Sequence, residues 1–202
     1  AVVGHDHLGH GQSVAEGAPR LYFGPKGSWD WVVEDLYTRR CLAGKRFPGV
    51  PYFLLGHSMG SFLARTYLIR YPGTVDGAVI MGTGQMTPAV IAGGKAFAAA
   101  EARRLGEDQI SPAVEKLSFG TYNKIFAPNR TGFDWLSADT ENVDRYIADP
   151  LCGRDATVGL FRDMLGGIRF HQKAANLRRM DTTIHVLFIS WQDAPVGSMG
   201  KH

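Results

Sequence analysis

Cysteine is scarce. Cys41 and Cys152 are the two in 202 residues. They stand far apart and outside any C-x-x-C spacing, which excludes a disulfide framework and predicts free thiols in a reducing compartment. Long hydrophobic runs are lacking too: no stretch of about 18 apolar residues occurs, so no membrane-crossing helix is expected. Like charges never gather into a block. Lys and Arg number 22 against 19 Asp and Glu, a net charge of +3, and the pairs Arg39-Arg40, Arg103-Arg104 and Arg178-Arg179 stand alone. Without a basic stripe interleaved with aromatics, nucleic acid is not an expected partner. The first residues lack a basic stretch followed by an apolar run, so they do not read as a signal peptide. They also lack an initiator Met, which suggests a chain that begins inside a longer product or after processing. The expected location is cytoplasmic. What is present is a core: 45% of residues are hydrophobic and 20% charged, which excludes a disordered chain and fits a globular protein.

Three short runs read as buried strands: 50–55, 75–81 and 184–189, with Ala1-Val2-Val3 as the tail of a fourth. Each is continuously apolar rather than alternating. That pattern predicts burial on both faces, as in a parallel sheet covered by helices. Between them, Trp29, Val32, Val33, Leu36 and Tyr37 form a helical stripe with Ser28 as candidate N-cap, and a second stripe runs from Ser61 to Tyr71, closed by Pro72-Gly73. Strand and helix in alternation predict an α/β fold.

From Gly84 to Met180 no convincing strand appears. Thr87-Pro88 and Ser111-Pro112 read as N-cap followed by proline at the first helical position. Gly106 closes the first of those helices. Thr140 opens another that ends near Asp149-Pro150, and Thr157, Leu160, Phe161, Met164 and Leu165 form a further stripe. The expected organisation is therefore an α/β core over 1–83, a helical cap or lid over 84–180, and a return to the core over 181–202.

Gly56-His57-Ser58-Met59-Gly60 is G-x-S-x-G. The motif is short, and its setting gives it meaning, because a strand leads straight in and a helix leads straight out. That is a nucleophile elbow. The turn forces Ser58 into a strained backbone conformation, and large side chains at positions 56 and 60 are expected to clash, hence the two glycines. Ser58 is the candidate nucleophile at a helix N-terminus, with the Met59 backbone N–H as candidate oxyanion donor.

A serine hydroxyl needs an imidazole base and an acid that orients it. In a strand-turn-helix site of this kind the chain order is Ser, acid, His. The acid belongs in the loop after the strand at 184–189, where Asp193 is the sole carboxylate. Only His202 follows. Two readings of the base stand open: His202, or a His that the chain does not contain. Asp6 with His5, His7 and His10 suggests a metal, but the spacing fits no metal-ligand motif. Asp6-x-x-Gly9-x-Gly11-x-Ser13 reads better as a glycine turn with Asp6 capping backbone amides. No metal and no cofactor are expected. His171 and His185 read as surface and strand residues.

The segments 6–13, 54–61, 134–137, 149–153 and 195–197 together resemble the α/β-hydrolase superfamily, in its serine-aminopeptidase-like and monoacylglycerol lipase/lysophospholipase-like branch. The resemblance implies that Ser58 is the nucleophile, that the helical segment is a lid over an acyl-chain pocket, and that the reaction is hydrolysis of an acyl ester. The substrate would be a monoacylglycerol or lysophospholipid, met as a small molecule or lipid with transient contact at a membrane surface. In an ungapped match the acid of that family falls on Ala194, so Asp193 serves after a one-residue shift or the acid is missing. The segment bearing the family's base is absent, as are its first strands. The resemblance thus implies an interior piece of a longer hydrolase, with little turnover on its own. An aminopeptidase and a non-catalytic pseudo-hydrolase remain the alternative readings.

Overall fold

The computed structural model describes residues 1–120 and 122–191, with only the backbone of Phe119. Two compact units emerge. One comprises 1–5, 25–97 and 162–191; the other comprises 6–24 and 98–161.

In the first unit, helix α1 (Trp29–Arg46) precedes strand β1 (Phe53–His57), helix α2 (Met59–Arg70) and strand β2 (Gly77–Met81). Strand β3 (His185–Ile189) enters from the far end of the chain. The sheet order is β1-β2-β3, and both pairings are parallel. Leu55, Val79 and Leu187 lie in one cross-strand row, and Gly56, Ile80 and Phe188 in the next.

Helix α2 packs on β1 and β2. It buries Phe62, Leu63, Ala64, Tyr67, Leu68 and Ile69, a nearly all-round apolar surface of the kind a core helix needs. Trp29 of α1 donates its indole N–H to Thr66 Oγ1 at 3.2 Å, and it fills the space where a Cβ at Gly167 would stand.

The strands differ from expectation in one respect. Only β2 is largely buried: Gly77, Ala78 and Ile80 are buried, and Val79 and Met81 are half-buried. Phe53 and Leu55 of β1 are 66% and 63% exposed, and Leu187 and Phe188 of β3 are 56% and 61% exposed. Apolarity of a strand reports what its side chains require, not what covers them. Residues 1–4 adopt no strand.

Ser28 precedes α1 but makes no side-chain cap. Its hydroxyl donates instead to Pro25 O and lies 3.5 Å from Asp163 Oδ2. With so short a side chain, the hydroxyl is satisfied by the nearer carbonyl.

The second unit is helix and turn, with an isolated antiparallel bridge between Ile110 and Thr157. Helix α3 (Pro88–Leu105) starts in the first unit and ends at Gly106, whose φ of +108° only glycine adopts readily. Helix α4 (Pro112–Phe119) is capped by Ser111, which accepts from Val114 N. Helix α5 (Thr140–Ala148) takes Asp139, not Thr140, as its cap, through Glu141 N at 3.0 Å. Both residue types cap well, and the one that can bond the N2 amide sits one place earlier. Helix α6 (Val158–His171) returns the chain to the first unit, and the short α7 (Ala174–Leu177) follows. Among the described residues no helix is long and apolar enough to cross a membrane.

Candidate active site

Strand β1 ends at His57, α2 begins at Met59, and Ser58 alone makes the turn. Its backbone sits at φ +53°, ψ −121°, a region that residues with a Cβ rarely occupy and that costs about 1–3 kcal/mol. Neighbours hold it there. Ser58 N–H donates to Met81 O at 3.0 Å, extending the β1–β2 ladder by one rung. Ser58 O accepts from Ser61 N at 2.9 Å and from the buried Ser61 hydroxyl at 2.6 Å. The main chain is thus fastened on both sides, while the side chain is exposed. Among the described residues no imidazole bonds the Ser58 hydroxyl. Met59 opens α2, whose first-turn amides have no intrahelical acceptor.

The two glycines of the motif play different parts. A Cβ at Gly56 would lie 2.3 Å from Gly60 O and 2.8 Å from Ala64 Cβ. The first turn of α2 therefore passes directly over the strand, and only a hydrogen fits between. A Cβ at Gly60 would meet nothing within 4 Å. The expected clash exists at position 56 and not at position 60, because Gly60 points away from the strand it approaches through its carbonyl.

Beside Ser58, the His57 ring lies against Gly82 and meets Trp191 edge-on, with ring centroids 5.6 Å apart. The loop after β2 is held by side chains. Gly82 N–H donates to Ile189 O at 3.0 Å. Arg65 of α2 reaches Thr83 Oγ1 at 3.2 Å and Gly84 O at 3.0 Å. Gln172 bonds both the N–H and the C=O of Met86, at 3.0 and 2.7 Å. Arg65 makes no ion pair among the described residues, and burial pushes its guanidinium below its ordinary range.

His171 departs from the surface position expected of it. It is fully buried, stacked on Phe62 with ring centroids 5.7 Å apart, and among the described residues neither ring nitrogen finds a hydrogen-bond partner. Burial, and secondarily the Arg65 charge, push its pKa down to about 3. The reason lies in spacing: Leu165, Ile168 and His171 continue one buried stripe of α6.

The turn at Asp6 takes the form read from its glycines. Gly9 and Gly11 have φ of +79° and +51°, and Asp6 Oδ2 accepts Gln12 N–H at 2.9 Å. His10 Nδ1 lies 3.1 Å from Leu8 O. Among the described residues no three His, Cys, Asp or Glu side chains form a group able to hold a metal ion. Asp193, Ala194 and His202 lie outside the described residues. Arg65 and the buried role of His171 were not anticipated. For Arg65 a signal existed, a lone cation inside the apolar run 62–69.

Comparison with known proteins follows the same lines. Residues 1–192 match the family described as serine aminopeptidase, S33. A monoacylglycerol lipase of Mycolicibacterium smegmatis is 32% identical over 184 residues, 89% of this chain and 57% of the relative. Human monoglyceride lipase is 31% identical over 153 residues, 76% of this chain and 43% of the relative. The chain thus spans about half the length of these relatives. Among solved structures, a thermostable carboxyl esterase from Bacillus coagulans, in complex with glycerol, superposes with a TM-score of 0.84 at 22% identity, covering 97% of this chain and 63% of that one. The fold is that of the α/β-hydrolases, and the chain belongs to the serine aminopeptidase, S33, family.

Proposed function

We propose that this protein is part of a serine ester hydrolase acting on monoacylglycerol-type acyl esters. The observation that carries the reading is Ser58, held at φ +53° between a strand and a helix with its hydroxyl exposed. A protein gains nothing in stability from that conformation; it presents a hydroxyl where a helix N-terminus faces developing negative charge. The relatives named monoacylglycerol and monoglyceride lipases support the substrate class.

In this reading Ser58 Oγ attacks the ester carbonyl while an imidazole takes its proton. The Met59 N–H faces the oxyanion, the alcohol leaves, and water releases the acyl group from the enzyme. Asp193 is the proposed acid that orients the imidazole. No cofactor takes part in these steps. The segment 84–180 is proposed to select the acyl chain.

The test is covalent. In the protein translated from its full reading frame, a fluorophosphonate probe is expected to label Ser58, and Ser58→Ala to abolish both labelling and release of fatty acid from a 1-monoacylglycerol. Labelling that survives the substitution, or a folded protein that never reacts, overturns the reading.

A further inference from the structure

Every residue of 61–69 in α2 is buried except Arg65, which is half-buried and carries the one charge of that run. Among the described residues it makes no ion pair. An apolar side chain at this place would suit a core helix without the cost of taking a guanidinium partly out of water. What the cation supplies is reach. One terminal nitrogen, Nη1, donates both to Thr83 Oγ1 at 3.2 Å and to Gly84 O at 3.0 Å. These two residues follow Met81 and Gly82, which flank the nucleophile turn. Met81 O accepts the Ser58 N–H, and Gly82 stands against the His57 ring.

The bonds close a circuit. From Ser58 it crosses one hydrogen bond to Met81 and follows the main chain to Thr83 and Gly84. It then crosses the guanidinium to Arg65 and returns along about two turns of α2 to Ser61. The amide and hydroxyl of Ser61 both bond Ser58 O. Ser58, at φ +53°, is the strained member, and strain persists only where the surroundings over-determine it. The span 82–84 belongs to neither helix nor strand, so the circuit is weakest there. Ile189 O fixes Gly82 through its N–H; Arg65 fixes the next two residues.

We propose that Arg65 is a positioning residue for the reaction at Ser58: by tying Thr83 and Gly84 to α2, it holds the Ser58 backbone in the turn that presents its hydroxyl. This rests on the reading of Ser58 as nucleophile. In the protein translated from its full reading frame, Arg65→Met is expected to slow fluorophosphonate labelling of Ser58 at least tenfold. It is expected to lower kcat on a 1-monoacylglycerol as much, with KM changed less than threefold, while the urea midpoint stays equal or rises. Both bonds leave one nitrogen, so Arg65→Lys, with three donors on one nitrogen, is expected to recover at least half of the lost rate. Thr83→Val is expected to slow labelling about threefold and to add nothing in the Arg65→Met background. Amide hydrogen exchange at Ser58 and Gly82 is expected to quicken at least tenfold in Arg65→Met and to stay unchanged at Val79. Labelling of folded Arg65→Met at the parent's rate, a loss confined to KM, or unchanged exchange at Ser58 and Gly82 overturns the proposal and leaves Ser58 as nucleophile. If Arg65→Met does not fold, Thr83→Val decides, and labelling of that variant at the parent's rate overturns the proposal. A folded parent that never labels overturns the reading of Ser58 itself, and the role of Arg65 with it.

Discussion

The two faces of the sheet are both apolar in sequence and unlike in structure. Toward α2, Gly56, Ala78 and Ile80 are buried, and the approach is so close at Gly56 that no carbon fits. On the other face Phe53, Leu55, Leu187 and Ile189 stay 66, 63, 56 and 38% exposed. The packed face carries geometry: the strain at Ser58, the Ser61 bonds and the helix start all depend on α2 lying where it does. The open face carries surface of the kind that folded proteins seldom leave bare beyond a few hundred square ångströms. Where α2 packs the tolerance for change is small; at the exposed positions of the other face it is large.

Three substitutions or conditions sharpen that contrast. The largest effect is expected at Gly56→Val on the packed face. Its side chain would have to displace the first turn of α2, costing upward of about 3 kcal/mol and, in urea unfolding, most of the transition. The adjacent Leu55→Ala on the open face is expected to cost less than about 1 kcal/mol. Equal losses for the two would erase the distinction between the faces.

Acid is next. The unfolded chain takes up a proton at His171 as pH falls through 6.5, whereas the folded protein keeps the ring neutral down to about 3. The stability contributed by neutral His171 is therefore whole above pH 6.5. It falls by about 1.4 kcal/mol per pH unit between 6.5 and 3, and levels off below. Unfolding free energies from urea titrations between pH 7 and 4.5 are expected to drop by about 2–3 kcal/mol in the parent. His171→Phe is expected to flatten that window while retaining the stack on Phe62.

The smallest effect is expected at Gly60→Ala. With nothing within 4 Å of the new methyl group, and with a helical site that favours alanine by about 0.5–1 kcal/mol, thermal unfolding should be unchanged or slightly raised. A strong loss would mean that both glycines of the motif are sterically required after all.

Much of the fold was legible because it rests on local rules. The runs 75–81 and 184–189 became β2 and β3 with their starts trimmed, and β1 starts three residues later and ends two residues later than the run 50–55. Pro88, Pro112 and Gly106 marked helix ends through the fixed φ of proline and the free φ of glycine. Ser58 was legible because strand, glycine and helix meet there. The rest depended on contacts between distant parts of the chain. That Ser28 bonds Pro25 instead of capping α1, that Gly60 has room to spare, and that His171 points into the core are facts about neighbours. No stretch of a few residues encodes them. Asp193 and His202 stay where the sequence left them, as expectations for the acid and one candidate for the base.

The backbone angle at Ser58 has a consequence for how this position can change over generations. Glycine is the one residue that adopts φ +53°, ψ −121° without penalty, so Ser58→Gly is expected to be the more stable protein. Position 58 is a place where pressure for a sturdy fold and pressure for a hydroxyl pull in opposite directions. A descendant freed from using that hydroxyl would be drawn toward glycine by stability alone, and a serine that persists there is a record of use.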